Sequence, residues 1–244
     1  MTAPFMSRDS SAVRADTIQA WARLAGALGL VSGVVGAFGE AYVPGLIMVA
    51  GDAAGTARNL AASEPLFRWG FAAYLVEALC DATLTIAFWV LVRPVSRGLA
   101  MGMVVFRIIA TCGFAMSQVL WFGGLLTQRS GPAFSAVPAG LLDAQPYLLM
   151  QVAGFGGALF GMFYGVGNVL FGFLIHRSGY LPRILGVLMV ITGATFTVRT
   201  FLLVLAPSFA SPALVMTAAL AFLPLSVWLL IKGVDLRAFR QSPA

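Results

Sequence analysis

The sequence holds little charge. Asp, Glu, Lys and Arg make up 10 % of its 244 residues, against about 25 % in a soluble globular domain. Histidine occurs once and cysteine twice. Cys80 and Cys112 sit in separate apolar runs, outside any CxxC or Cys/His cluster. A disulfide framework and a zinc site therefore have no support. The Gly-rich phosphate loop and the HExxH, GxSxG and EF-hand patterns are missing. Their absence argues against a hydrolase or a nucleotide-driven pump. No cofactor and no metal is expected. The polar N-terminal stretch is followed, from Leu24, by an apolar run too long for a signal-peptide core and without a small-residue cleavage site. It reads as a retained membrane span.

What is abundant is apolar. Hydrophobic residues are 60 % of the chain and mean hydropathy is +0.93. That composition excludes a soluble globular domain, a disordered chain and a nucleic-acid-binding module. The net charge of +6 then reads as membrane topology rather than as a nucleic-acid or acidic partner. A bilayer core needs about 20 apolar residues in a helix. Six stretches qualify, at 22–43, 69–92, 99–126, 147–175, 183–205 and 212–232. They are continuously apolar and do not alternate, so a strand barrel is disfavoured. The expected fold is all-α: a polytopic six-transmembrane-helix bundle over 21–232, with a terminal segment 1–20 and a tail 233–244. Basic residues set its orientation. Ten (Arg8, Arg14, Arg23, Arg93, Arg97, Arg177, Arg183, Lys232, Arg237 and Arg240) fall on the side of the termini, against Arg58, Arg68 and Arg129 opposite. The positive-inside rule puts both termini in the cytoplasm.

Two outside loops are long. Residues 44–68 read as a short helix after an Asp52 cap, with a second helix start at Ser63-Glu64-Pro65. Trp69 anchors span two at the interface. Residues 127–146 are rich in Gly, Pro and Ser. Both loops read either as a cover over a cavity or as plain connectors.

Ionisable groups inside a span are costly, so each is a candidate site residue. Span two carries Tyr74, Glu77, Asp81 and Thr85 on one helical face. Span three carries Arg107, Thr111 and Gln118, and span five carries Thr192, Thr195 and Arg199. Glu40 lies in span one, on the α-helical face of Gly33 and Gly36, and Tyr164 and Asn168 lie in span four. At about 1.5 Å per residue, Asp81 is roughly 18 Å from the outside and Arg107 roughly 12 Å from the cytoplasm, so they share a level. This predicts an inner polar layer of Asp81, Arg107 and Asn168, and an outer one of Glu40 and Glu77 around Arg199. Three carboxylates against two arginines leave one excess negative charge, which marks one of Glu77 and Asp81, Glu77 ahead of Asp81, as a candidate proton carrier. The plainer reading is that the pairs lock the bundle together.

Glycine supplies a second pattern, at Gly26, Gly29, Gly33, Gly36 and Gly39 in span one and Gly154, Gly157, Gly161, Gly165 and Gly172 in span four. Small residues at this spacing let helices approach closely. Helix packing and a surface for a second copy of the chain both stay open. Pro224 is expected to kink span six. His176, without a partner motif, reads as an interface residue.

Several stretches resemble a bacterial multi-pass family catalogued as domain of unknown function 4386. They are Gly51-Asp52-Ala53-Ala54, Ala62-Ser63-Glu64-Pro65-Leu66-Phe67-Arg68, Cys80-Asp81, Leu91-Val92-Arg93-Pro94-Val95, Phe106-Arg107 and Arg177-Ser178-Gly179-Tyr180-Leu181-Pro182-Arg183-Ile184-Leu185-Gly186. The resemblance covers roughly 20–232 and is most specific from Ser178 to Gly186. It implies an integral protein of a bacterial cytoplasmic membrane and brings no activity. The family often has His where Asn168 stands, which weakens a proton-relay or metal role there. The expected function is binding or transport of a small amphipathic or lipid-like molecule. Glu40, Tyr74, Glu77, Asp81, Arg107, Gln118, Asn168 and Arg199 are the ligand-binding or proton-carrying candidates. An intramembrane acid/base enzyme acting on an isoprenoid or lipid, and a non-catalytic scaffold or partner subunit, are the alternatives. Expected partners are membrane lipid, the lipid-like ligand and a second copy through the Gly-rich faces, without nucleic acid.

Overall fold

The computed structural model describes residues 5–128, 138–211 and 213–241, and among these the regular structure is helical throughout. Among the described residues nine α-helices follow one another: α1 Phe5–Gly36, α2 Val43–Ile47, α3 Ala53–Ala62, α4 Glu64–Val92, α5 Arg97–Thr127, α6 Ala139–Ser178, α7 Arg183–Leu205, α8 Ala213–Ile231 and α9 Leu236–Gln241. A π-helical turn, Ala37–Tyr42, joins α1 to α2 without a break. Its cause is visible in the sequence. Pro44 has no N–H, and in a straight α-helix its ring would strike the carbonyl four residues back. The wider turn removes that clash, and Val43 N–H bonds the Phe38 carbonyl instead.

Among the described residues five helical stretches are long and apolar enough to cross a membrane: Asp16–Ile47, Glu64–Val92, Arg97–Thr127, Gly140–Ser178 and Arg183–Leu205. The last matches its expected span residue for residue, because Pro182 and Pro207 bracket it. The others run past their expected ends, since the polar flanks continue the helix. The sixth expected span falls on α8, whose apolar part Phe222–Ile231 lies among the described side chains. The segment 127–146 lies partly outside the described residues. Large apolar side chains point outward along every long helix, for example Leu79 and Ile86 on α4, Met116 and Val119 on α5 and Val198 and Phe201 on α7. Stripes of this extent suit an apolar solvent rather than water.

The short-helix reading of 44–68 has its counterpart in α3. The Asp52 carboxylate accepts from Gly55 N–H at 2.7 Å and caps it. Helix α4 starts directly after Ser63, and Arg68 forks onto Glu64 one turn on, at 2.7 and 2.8 Å.

The chain divides into two compact units. One comprises residues 1–31, 80–110 and 161–244, the other 32–79 and 111–160. The core of the first is built from residues such as Ala22, Leu84, Phe88, Phe171, Leu174, Met189 and Leu225. Phe88 stacks on Phe171 at 4.2 Å. The core of the second gathers Val43, Ile47, Leu60, Phe67, Trp121 and Met150. There α3 is tied down by Gln128 Nε2 to the Ala57 carbonyl at 2.6 Å, and the turn before it by Gly51 N–H to the Tyr147 hydroxyl at 3.0 Å.

Glycines make the closest helix contacts of the first unit. A methyl group at Gly165 would meet the Gly193 carbonyl, and one at Gly193 would meet Val169 N at 2.7 Å. One turn-pair further along, Gly172 faces the Gly186 carbonyl and Val190 N in the same way. Seven residues forward in α6 match seven backward in α7, so this is an antiparallel glycine seam. Gly26 likewise sits against the backbone of Leu230 and Ser226 in α8. The packing reading therefore accounts for these positions. Gly33 and Gly154 face open space.

Candidate functional site

Arg107 is the largest fully buried side chain of the protein's described residues, at 1 % exposure. Charge that deep must be matched by oriented dipoles. Helix α4 supplies one. The Thr85 hydroxyl donates to the Asp81 carbonyl at 2.8 Å, which turns its lone pairs toward Arg107, and it accepts from Arg107 Nε at 3.1 Å. Helix α6 supplies the next, with Asn168 Oδ1 accepting from Arg107 Nη1 at 2.9 Å. The guanidinium also lies over two rings, Tyr164 at 4.9 Å and Phe88 at 5.2 Å. Gly167 makes room for the stem, since a methyl group there would sit 2.9 Å from Arg107 Cγ.

Arginine can only donate. Its contact therefore fixes which way the Asn168 amide is turned. Oδ1 faces Arg107, so Nδ2 faces away. That Nδ2 is buried, on a residue with 0 % exposure, and no described residue bonds it. The Tyr164 hydroxyl stands beside Asn168 and Arg107, in the field of the Asp81 carboxylate. Asp81 itself is half-buried. The first unit thus gathers Asp81, Arg107 and Asn168 in one neighbourhood, along with Thr85, Phe88, Tyr164 and Gly167. Phe88 was not a candidate on sequence, although Asp81, Thr85 and Phe88 follow at helical steps of four and three. Arg199 is also in this unit, half-buried on α7, with a buried Nε that no described residue bonds.

The other candidates belong to the second unit. Tyr74 is buried and meets the Phe114 ring edge-on at 5.3 Å. One turn further along α4, the half-buried Glu77 lays its carboxylate on α1 where Gly36 leaves space, so that a methyl group would be 3.0 Å from Oε2. Glu40 lies in the π turn that follows. The wider turn rotates it relative to a straight α-helix, and Gly36 is buried while Glu40 is exposed. Hydrophobic periodicity cannot signal such a turn. Gln118 is half-buried on α5.

At the α6–α7 turn the backbone is held from all sides. Ser178 Oγ donates to the Ile175 carbonyl at 2.8 Å and accepts from Leu181 N–H at 3.2 Å. Gly179 takes φ +71°, a conformation that glycine adopts without strain. The Tyr180 hydroxyl donates to the Leu91 carbonyl at the end of α4, at 2.6 Å, and its own carbonyl accepts from Asp235 N–H at 3.0 Å. Burial pushes the Tyr180 hydroxyl above the ordinary phenol range.

The family model described as "Domain of unknown function (DUF4386)" matches residues 24–233. The chain belongs to this DUF4386 family. Over 124 residues it is 28 % identical to an uncharacterized protein of Archaeoglobus fulgidus, a match covering 51 % of this chain and 60 % of that relative. The chain thus spans under two thirds of the length of the curated relative it matches. No solved structure matches it. In this DUF4386 chain three of the family-like stretches bear on the geometry just described. The stretch from Ser178 to Gly186 is the turn just described together with the first glycine of the α7 seam, which is architecture. Of Cys80-Asp81 and Phe106-Arg107, the charged members Asp81 and Arg107 belong to the polar cluster around Asn168.

Proposed function

We propose that this protein crosses the membrane six times with both termini in the cytoplasm. On this reading it binds, and carries, a small amphipathic molecule whose polar head is received beside Arg107 and Asn168. The supporting observation is the Asn168 amide, a buried donor that no described residue bonds. Leaving a buried donor unmet costs about 1–3 kcal/mol. An acceptor on a ligand head would offset that cost, and the neighbouring guanidinium favours an acceptor carrying negative charge. A carboxylate, phosphate or polarised carbonyl meets both demands. The rings of Phe88 and Tyr164 keep the surroundings of that head apolar. Asp81, close to this group, balances the arginine and is the natural site for a proton taken up when an anionic head arrives.

The test is native mass spectrometry of the full chain purified in mild detergent, comparing wild type with Asn168→Ala and Asp81→Asn. A specific co-purifying molecule, lost from Asn168→Ala while the protein keeps its helical spectrum, supports the site. Bulk lipid in equal amounts in all three samples refutes it and favours a scaffold whose buried charges only hold helices together.

A further inference from the structure

A concavity lies at the helix ends of the first unit. It has a volume of about 370 Å³, within the usual span of small-molecule sites. Tyr180 and Pro182 of the α6–α7 turn form one wall, and Trp228, Lys232 and Asp235 at the end of α8 form the other. The shape is set by hydrogen bonds. Gln19 Nε2 donates to the Lys232 carbonyl at 2.9 Å, and its Oε1 accepts from Val234 N–H at 3.1 Å. Gly233 takes φ +67° against that same glutamine.

Two charged residues line it, Lys232 and Asp235. Lys232 Nζ rests over the Trp228 ring at 4.6 Å. The same device ends two more helices, with Arg93 over Trp89 at 4.7 Å on α4 and Arg177 over Phe173 at 4.8 Å on α6. In each case an aromatic residue is followed four positions later by an exposed cation at the helix C-terminus. Such pairs place a ring at the membrane interface and a positive charge just beyond it. The exposed Asp235 is engaged by α9: its Oδ1 accepts from Arg237 N–H at 2.9 Å and Ala238 N–H at 3.2 Å, capping that helix. Helix α7, which follows Pro182 of the cavity wall, carries an exposed apolar stripe of Ile184, Val187 and Ile191 at steps of three and four.

We propose that this cavity binds the headgroup of an anionic phospholipid. Its phosphate meets Lys232, and its acyl chains run along the Ile184–Val187–Ile191 stripe. A free anion would use the lysine and leave the stripe unused, which is why a membrane lipid is the fitting occupant.

The experiment transfers the full chain into phosphatidylcholine vesicles containing phosphatidylglycerol and counts retained lipid by native mass spectrometry. Wild type is expected to retain phosphatidylglycerol over phosphatidylcholine. Lys232→Gln is expected to weaken that retention about fivefold, equivalent to about 1 kcal/mol. Arg240→Gln, which removes the same charge from the exposed end of α9, should keep it, as should Asn168→Ala, which separates this site from the one proposed above. Equal loss from Lys232→Gln and Arg240→Gln would reduce the effect to general surface charge and overturn the proposal. Absence of a preference for phosphatidylglycerol, or its displacement by millimolar inorganic phosphate, would overturn it too.

Discussion

Replacing Gly193 by alanine probes the α6–α7 seam directly. The added methyl group would lie 2.7 Å from Val169 N and still nearer the Gly165 carbonyl. Both are backbone atoms of α6 and cannot rotate away. Comfortable contact needs about 3.5–4.0 Å, so the helices must part by roughly 1 Å around this point. Overpacking of this kind costs about 1–3 kcal/mol, and parting the helices also loosens the Gly172–Gly186 contact. Alanine returns about 1 kcal/mol as the better helix former. The net expectation is a loss of up to about 2 kcal/mol. For a chain of this size that is a fall in unfolding midpoint of up to roughly 8 °C. Gly154→Ala is the matched control, since Gly154 lies inside α6 and nothing stands within 4 Å of the added atom. It keeps the propensity gain without the clash and should leave the midpoint unchanged or raised. Thermal unfolding followed by circular dichroism in one detergent compares the two. A Gly193→Ala protein as stable as Gly154→Ala would refute the seam.

Three more outcomes follow from the same geometry. Tyr180 has a raised folded-state pKa, so its contribution is fully present below the ordinary tyrosine value near pH 10 and is lost as pH rises above it, by about 1.4 kcal/mol per unit. Tyr180→Phe should be less stable at neutral pH by about 1–3 kcal/mol, from the unmet Leu91 carbonyl, yet decline less between pH 10 and 11; parallel pH profiles would contradict this. Arg107→Lys cannot reach Thr85 and Asn168 with one rigid fork, and losing one such bond should cost about 1.5–3 kcal/mol in unfolding experiments. Asp52→Ala removes the α3 cap at a cost of about 0.5–2 kcal/mol; faster amide exchange in Ala53–Ala62, with the rest of the chain unaffected, is the expected signature.

Much of the fold was legible along the chain because its signals are local. Proline and a polar cap end or start a helix wherever they occur, so α7 and α3 could be placed from Pro182, Pro207 and Asp52 alone. Long apolar runs announce a membrane whatever they pack against. Arg107, Asp81 and Asn168 stood out because charge and amide are rare in such runs. Their roles were not legible. That Thr85 and Asn168 receive the arginine, that Phe88 and Tyr164 cover it, and that the Asn168 donor faces away depends on which helices adjoin.

The sequence by itself determined the apolar character, the helical class, the helix boundaries that proline or a polar cap marks, and the short list of costly polar residues, since each follows from composition or from spacing within one helix. Tertiary structure decided the rest. Gly186 and Gly193 are unremarked glycines in an apolar run until α6 lies antiparallel against them. The π turn before Pro44 exists because a ring and a carbonyl compete for space. The cavity near Lys232 joins residues some fifty positions apart, and only the packing of helix ends brings them to one place.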